Sequence, residues 1–364
     1  MARVVSPPFL PSKPSAGRGR GARSNASGRF ERIAYEGFDD GWSDEAPEEH
    51  KTSVQEEPAR KIVTFNDSPY VGFDRSINPY RGCEHGCSYC FARPTHAYLG
   101  LSPGLDFETR LFAKPNAAAL LRRELSNSRY EVRPIAIGTN TDPYQPIERR
   151  YRVMREVLEV LHEFSHPVSI LTKSDLVLRD LDLLAPMARD GLARVMLSIT
   201  TLDGKLARAM EPRAPRPGLR LEAVRVLAKA GVPTGTVHGP MIPGLSDHEL
   251  EALMEEAAAR GATYAAYTIL RLPLEVADLF EEWLETFAPN HKSRVLNHLR
   301  EMNGGRTYDV AWSRAEEPRS TVAQLMRARF RNAYRRLGFT EMPDLDCSRF
   351  SPPAAVRPQL SLFG

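Results

Sequence analysis

The sequence predicts an α/β fold, a parallel sheet of six strand–helix units curled into a partial (β/α)6, TIM-like barrel. Three observations lead there. From about residue 72 onward, short β-branched runs alternate with longer runs of helical period. The alternation is strict, so successive strands lie parallel and helices cover them. Such crossovers are right-handed, so the series either opens as a doubly wound sheet or curls toward a barrel, which six units leave incomplete, with a wide mouth and its chemistry at the C-terminal strand ends.

The elements follow in order. Strand candidates are Phe73–Asn78, Pro134–Gly138, Val168–Thr172, Arg194–Thr200, Thr234–Pro240 and Thr263–Ile269. Between them, Glu148–Phe164 places Tyr151, Met154, Leu158 and Leu161 on one helical stripe. Ser174-Asp175 opens a helix just after a strand, and Arg220–Ala230 stops at Gly231 and Pro233. Ser246 with Glu249 forms a capping box ahead of Leu250, Leu253 and Met254. Two more helical stretches, Lys292–Met302 and Thr321–Leu337, precede a Pro-rich tail. Residues 1–60 read as a disordered leader, with a basic stretch (Arg18, Arg20, Arg23) and then nine acids against one base in Glu36–Glu57. The expected organisation is leader 1–60, core domain 61–290, C-terminal helical extension 291–345 and tail 346–364.

The 364 residues suffice for one large or two ordinary domains, and 42% hydrophobic with 26% charged residues is a globular composition. A net charge of +3 is too mild to demand a nucleic-acid partner. No apolar run is long enough for a membrane span and the Met1 end lacks a signal-peptide core, so the expected compartment is the cytoplasm. There the four cysteines are reduced, which favours ligand or catalytic roles over disulfides.

Three of those cysteines fall in Cys83-Glu84-His85-Gly86-Cys87-Ser88-Tyr89-Cys90, a C-x3-C-x2-C spacing that follows the first strand. Gly82 and Gly86 let the backbone wrap closely around one small object. Three thiolates bind three irons of a cubane and leave the fourth iron open to a reactant. The alternative is a zinc site completed by His85, His96 or Cys347, although no second cysteine pair exists.

With Tyr89 as its aromatic, this motif resembles the hallmark of radical S-adenosylmethionine (SAM) enzymes. Ser76–Cys83 and Thr141–Glu148 resemble the spore photoproduct lyase-like branch of that superfamily. The resemblance implies a [4Fe–4S] cluster on Cys83, Cys87 and Cys90 and SAM chelating the open iron. Reductive cleavage to a 5′-deoxyadenosyl radical would follow, with an electron donor such as flavodoxin or ferredoxin. It also implies SAM contacts from Tyr89, Thr139, Asn140, Lys173 and Ser198, and it touches Glu211 and Arg213. A strand-end His238 reads as locally hydrogen-bonded, and Tyr264 and Tyr267 as core or rim aromatics.

The resemblance is incomplete. Spore photoproduct lyase returns a hydrogen atom from a cysteine after the second strand, whereas Gly138–Gln145 contains none. The position after the third cluster cysteine, a tyrosine in that enzyme, is Phe91. Cluster, SAM and fold are therefore implied, but not the spore reaction. Damaged or modified DNA is the expected substrate; a protein or RNA substrate and a non-catalytic iron–sulfur scaffold are the alternatives. Finally, Gln359-Leu360-Ser361-Leu362-Phe363 resembles the peptide by which bacterial repair proteins dock on the replication sliding clamp.

Overall fold

The structure is a computed structural model that describes residues 19–30, 51–67, 71–309 and 320–353. Six strands run parallel in one sheet: β3 (Arg75–Ile77), β6 (Ile135–Ile137), β7 (Val168–Thr172), β8 (Ala193–Ser198), β9 (Thr234–Met241) and β10 (Tyr264–Ile269). They pair in chain order, and β2 (Val63–Phe65) adds an antiparallel edge on β3. β10 does not pair with β3, so the barrel stays open as expected. A smaller sheet joins β1 (Ser53–Glu56), β4 (Tyr80–Arg81) and β5 (Arg110–Ala113). All six expected strands are present within two residues at either end.

Covering helices bury the predicted stripe, and Met154, Leu158 and Leu161 are inaccessible to solvent. That helix is nevertheless two helices, Glu148–Tyr151 and Val153–Glu163, broken at Arg152 with φ 54°. The buried Glu148 carboxylate accepts from Met154 N and Arg155 N, capping the second piece from the preceding turn. Ser174 does cap, accepting from Leu176 N. The capping box at Ser246 does not form. Ser246 Oγ accepts from Ile242 N, and the Glu249 carboxylate instead accepts from Leu202 N and Thr201 Oγ1, fastening the loop after β8 to the one after β9.

Parts of the leader expected to be disordered are packed. Arg20, Gly21 and Ala22 are buried against the cysteine loop, and β1 belongs to the small sheet. Residues 1–18 and 31–50 lie outside the described residues. At the other end, helix Thr321–Arg336 lies on helix Leu250–Ala259 through Arg329–Glu251 and Arg336–Glu255 pairs, and on β10 through a Tyr267–Phe330 ring contact. The chain then crosses the N-terminal strand ends. Thr340 N bonds Thr263 O, Asp346 N bonds Gly191 O, and Ser351 N bonds Phe164 O. Phe350 seats among Tyr130, Phe164 and His166. The first residues of the tail thus close the barrel floor, while Gln359–Phe363 lies outside the described residues. No helix among the described residues is long and apolar enough to cross a membrane.

A candidate cofactor site at the barrel mouth

The cysteine loop leaves the C-terminal end of β3, where the expected chemistry belongs. Two left-handed glycines shape it. Gly82 (φ 72°) and Gly86 (φ 67°) leave no room for a Cβ, which would stand 2.7 Å from Phe107 O at Gly82 and 2.3 Å from Glu108 Oε2 at Gly86. Cys83 and Cys87 are buried and Cys90 half-buried. Burial pushes all three thiols up, Cys87 to about 12. The thiols therefore stay protonated until a metal replaces the protons.

Three buried polar groups hold the loop. The Arg93 guanidinium donates to Gly86 O, Cys87 O, Pro103 O and Gly104 O and pairs with Glu108 at 3.0 Å. Glu108 in turn accepts from Gly21 N and Ala22 N, so a carboxylate clamps the leader to the loop. From the other side, Gln145 accepts from Glu84 N and donates to Gly82 O. The string Thr141–Glu148 thus braces the loop.

Behind it, Asp142 ties adjacent strands together, accepting from Thr172 Oγ1 and Lys173 N, each at 2.7 Å. Burial raises its carboxyl, but the facing His85 ring and these donors outweigh burial and hold it at about 2. His85 Nδ1 stands 3.4 Å from Asp142 Oδ2. Neither His85 nitrogen, nor Ser88 Oγ, completes a hydrogen bond among the described residues. Buried polar atoms without partners are rare, and here they flank the three thiols.

The SAM-contact candidates Tyr89, Lys173 and Ser198 are brought together around Glu211. Lys173 Nζ donates to Ser198 Oγ at 2.8 Å, lies 4.0 Å from Glu211 Oε1 and sits 5.8 Å from the Tyr89 ring centre. Glu211 is fully buried and accepts from the Tyr89 hydroxyl, from Thr200 and from the buried Arg220 guanidinium. Burial pushes the Glu211 carboxyl up, but Arg220 and Lys173 outweigh it and hold it at about 2. Thr139 and Asn140 lie apart from this group, both held by Asn78 at the end of β3. Arg213, matched to the same motif as Glu211, is exposed and pairs with Glu84 at 2.8 Å.

Glu84, Glu108, Arg93 and Arg220 were missing from the expectations. Their signal was weak, because a charged residue normally reads as surface until its buried partner is known. His238 is buried, bonds Thr236 locally, and is pushed down to about 4 by burial. Phe91 is 59% exposed and Cys347 lies on the floor, close to Leu345 O.

The donor set fits a cubane better than a single ion. No three His, Cys, Asp or Glu side chains among the described residues converge on one ion. A zinc site needs that convergence, whereas a cubane spreads three thiolates over three irons. Of the zinc candidates, His96 Nε2 is already bonded to Arg110 O. An apolar cluster containing Cys87, Tyr89, Met210, Phe280, Trp283 and Leu299 underlies the loop and excludes water.

The chain is similar to several known proteins. An uncharacterised protein of Mycobacterium tuberculosis is 40% identical over 224 residues, covering 61% of this chain and 66% of the relative, just under two thirds of its length. An uncharacterised protein of the Acidianus two-tailed virus is 31% identical, covering 55% of this chain and 69% of the relative. A radical SAM Nalpha-GlyT isomerase of Pseudomonas phage M6 is 24% identical, covering 64% of this chain and 47% of the relative. A spore photoproduct lyase mutant with bound AdoMet and dinucleoside spore photoproduct superposes with a TM-score of 0.57 at 17% identity, covering 80% of this chain and 84% of that one. At that identity the likeness shows the fold alone. Residues 77–257 match the sequence signature of the radical SAM superfamily, whose members use a [4Fe–4S] cluster and SAM, and this chain belongs to that superfamily.

Proposed function

We propose that this protein cleaves SAM to act on a damaged or modified base in DNA, with Cys83, Cys87 and Cys90 as the cluster ligands. When bound, the cluster and SAM supply one-electron reductive cleavage of SAM. The chain's own residues position and shield that chemistry. The observation that carries the reading is the Lys173–Ser198–Glu211–Tyr89 group, set beside three thiols at the open mouth. Lys173 offers a point charge to a carboxylate or ribose oxygen, and Glu211 with Ser198 fixes its ammonium. Tyr89 presents its ring while its hydroxyl is spent on Glu211. Thr139 and Asn140, held by Asn78 at the neighbouring strand end, would contact the SAM amino group. A passive iron–sulfur scaffold would have no use for this buried, charge-balanced group.

The DNA substrate is supported by the lyase-like fold and by the open mouth. Gly138–Gln145 carries no thiol, so a hydrogen returned to the product would come from another group or from 5′-deoxyadenosine itself. An acidic one-electron carrier such as flavodoxin or ferredoxin would supply the electron. Gln359–Phe363 would tether the enzyme to the sliding clamp and raise its local concentration on DNA. Truncation after Pro358 should abolish clamp binding, and equal clamp affinity of both forms would remove the tether from the proposal.

The deciding experiment is anaerobic incubation of reconstituted protein with SAM, dithionite and irradiated or base-modified DNA. The expected result is 5′-deoxyadenosine release that rises with one DNA substrate and a matching change in that DNA. Lys173→Ala should weaken SAM binding by about 1.5–3 kcal/mol, the loss of one charge-assisted hydrogen bond. Turnover stimulated only by RNA or by a protein would refute the DNA assignment and leave SAM cleavage intact.

A further inference from the structure

A second concavity lies on the rim of the mouth, outside the Lys173–Glu211 group. It encloses about 1030 Å³ between the leader, the loop after β8 and Phe287. Its walls carry five cations, Arg20, Arg23, Lys205, Arg208 and Arg216. The one acid there, Asp203, is engaged in capping Lys205 N and Leu206 N.

The cations differ in what holds them. Arg20 is tied to Glu108 O and Thr52. Lys205, Arg208 and Arg216 are exposed, and none of their side chains makes a hydrogen bond or ion pair among the described residues. Arg23 is only 9% exposed, lies 5.5 Å over the Phe287 ring, and its Nε finds no hydrogen-bond partner among the described residues. A nearly buried guanidinium with an unspent donor costs stability unless something else accepts from it. Several like charges around one concavity also repel one another. Both costs are relieved by an anion that accepts several hydrogen bonds, and phosphate is the group that arginine forks fit best.

Position selects among phosphate ligands. The loop from Asp203 to Arg216 leaves the C-terminal end of β8, the end from which the cysteine loop leaves β3. Ser88 N bonds Met210 O and Arg213 N bonds His85 O, so this loop lies directly against the cysteine loop. A chain of phosphates crossing the mouth would therefore reach the cavity while one nucleotide faces the site. We propose that this basic cavity is a phosphate subsite that holds the backbone of a nucleic-acid substrate away from the reacting nucleotide. This deepens, and rests on, the nucleic-acid reading given above.

The test is equilibrium binding of a fluorescent oligonucleotide of about 12 nucleotides, single-stranded and duplex, to the cluster-loaded protein between about 0.05 and 0.3 M salt. Arg208→Ala with Arg216→Ala removes two exposed cations without opening the core. The slope of log affinity on log salt should fall by about 1.4 for the single strand or 1.8 for the duplex, and affinity at 0.1 M salt by about tenfold or more. Arg225→Ala, on an outer helix and paired with Glu222, should change neither. If wild type binds the oligonucleotide and the double variant keeps its slope, the cavity proposal is overturned and the nucleic-acid reading stands. If wild type binds no oligonucleotide, the nucleic-acid reading itself fails. Loss in the double variant of pyrophosphate binding alone, or of binding to reduced flavodoxin alone, would assign the cavity to a free phosphate or to an acidic protein and overturn the proposal.

Discussion

Replacing Glu211 by Gln would remove one charge from the centre of the site while keeping its shape. The carboxylate is fully buried, and the Arg220 guanidinium beside it is 1% exposed. A carboxyl held at about 2 instead of its ordinary 4.5 contributes roughly 3 kcal/mol of stability at neutral pH, at about 1.4 kcal/mol per unit. Because the folded-state value is depressed, this contribution is complete above about 4.5 and is lost as pH falls through about 2. Stranding a buried cation independently costs about 3–5 kcal/mol, so two routes give the same size. Glu211→Gln should therefore lower unfolding free energy in urea by about 3 kcal/mol at pH 7, with a difference that shrinks toward pH 2 as wild type protonates too.

A second variant separates structure from site. Glu211→Leu with Arg220→Met removes both charges and should regain most of the stability, since an apolar pair of similar volume often replaces a buried ion pair at little cost. SAM affinity should stay low in both variants, because Lys173 loses the carboxylate 4.0 Å away that orients it. A loss below about 1 kcal/mol in Glu211→Gln would refute the electrostatic reasoning. Wild-type SAM affinity in the charge-free pair would refute the positioning role.

Three further outcomes are expected. Cys83→Ala, Cys87→Ala and Cys90→Ala should each lose the iron signal after anaerobic reconstitution while Cys347→Ala keeps it, and retained iron in any of the first three would remove that residue from the ligand set. His166, pushed by burial from 6.5 down to about 4, should make stability fall as pH drops from about 6.5 toward 4, by up to about 3 kcal/mol. The sign follows from the unfolded chain binding the proton more tightly. His166→Asn should flatten part of that slope, the remainder belonging to His238 and His96, which burial also pushes down, and an unchanged urea midpoint profile would show that His166 does not titrate this way. Gly21→Ala places a Cβ 1.6 Å from Gly86 O and should release the leader, raising proteolysis and hydrogen exchange at residues 19–30 and costing about 2 kcal/mol; unaltered exchange there would show that the leader is not wedged against the loop.

The legible parts of this protein were those written in local pattern. Six strands could be read because β-branched runs such as Val168–Thr172 sit between long apolar-striped helices, and parallel pairing in chain order follows from that alternation. β4 and β5 escaped because strands of two and four residues carry no period, and they exist only because β5 pairs with β4 on one side and with β1 on the other. The helix break at Arg152 escaped for a related reason. It depends on the Glu148 side chain folding forward to cap a later turn, a contact no propensity encodes.

The leader shows where composition misleads. Arg18 to Gly28 is glycine- and arginine-rich and has too few apolar side chains to fold alone, so a compositional reading calls it disordered. What orders residues 19–30 is a surface made elsewhere. The Glu108 carboxylate, fixed by Arg93, presents two acceptor oxygens to Gly21 N and Ala22 N, and only a residue without Cβ passes Gly86. The glycines that argued against structure are the feature that permits it. The same logic holds at the site. Tyr89, Lys173 and Ser198 were readable as motif positions, but Glu211 gathers them by drawing a tyrosine, a lysine and an arginine from three separate segments onto one buried carboxylate. That convergence is a property of the assembled open barrel, so it becomes visible only when the strands that carry it stand side by side.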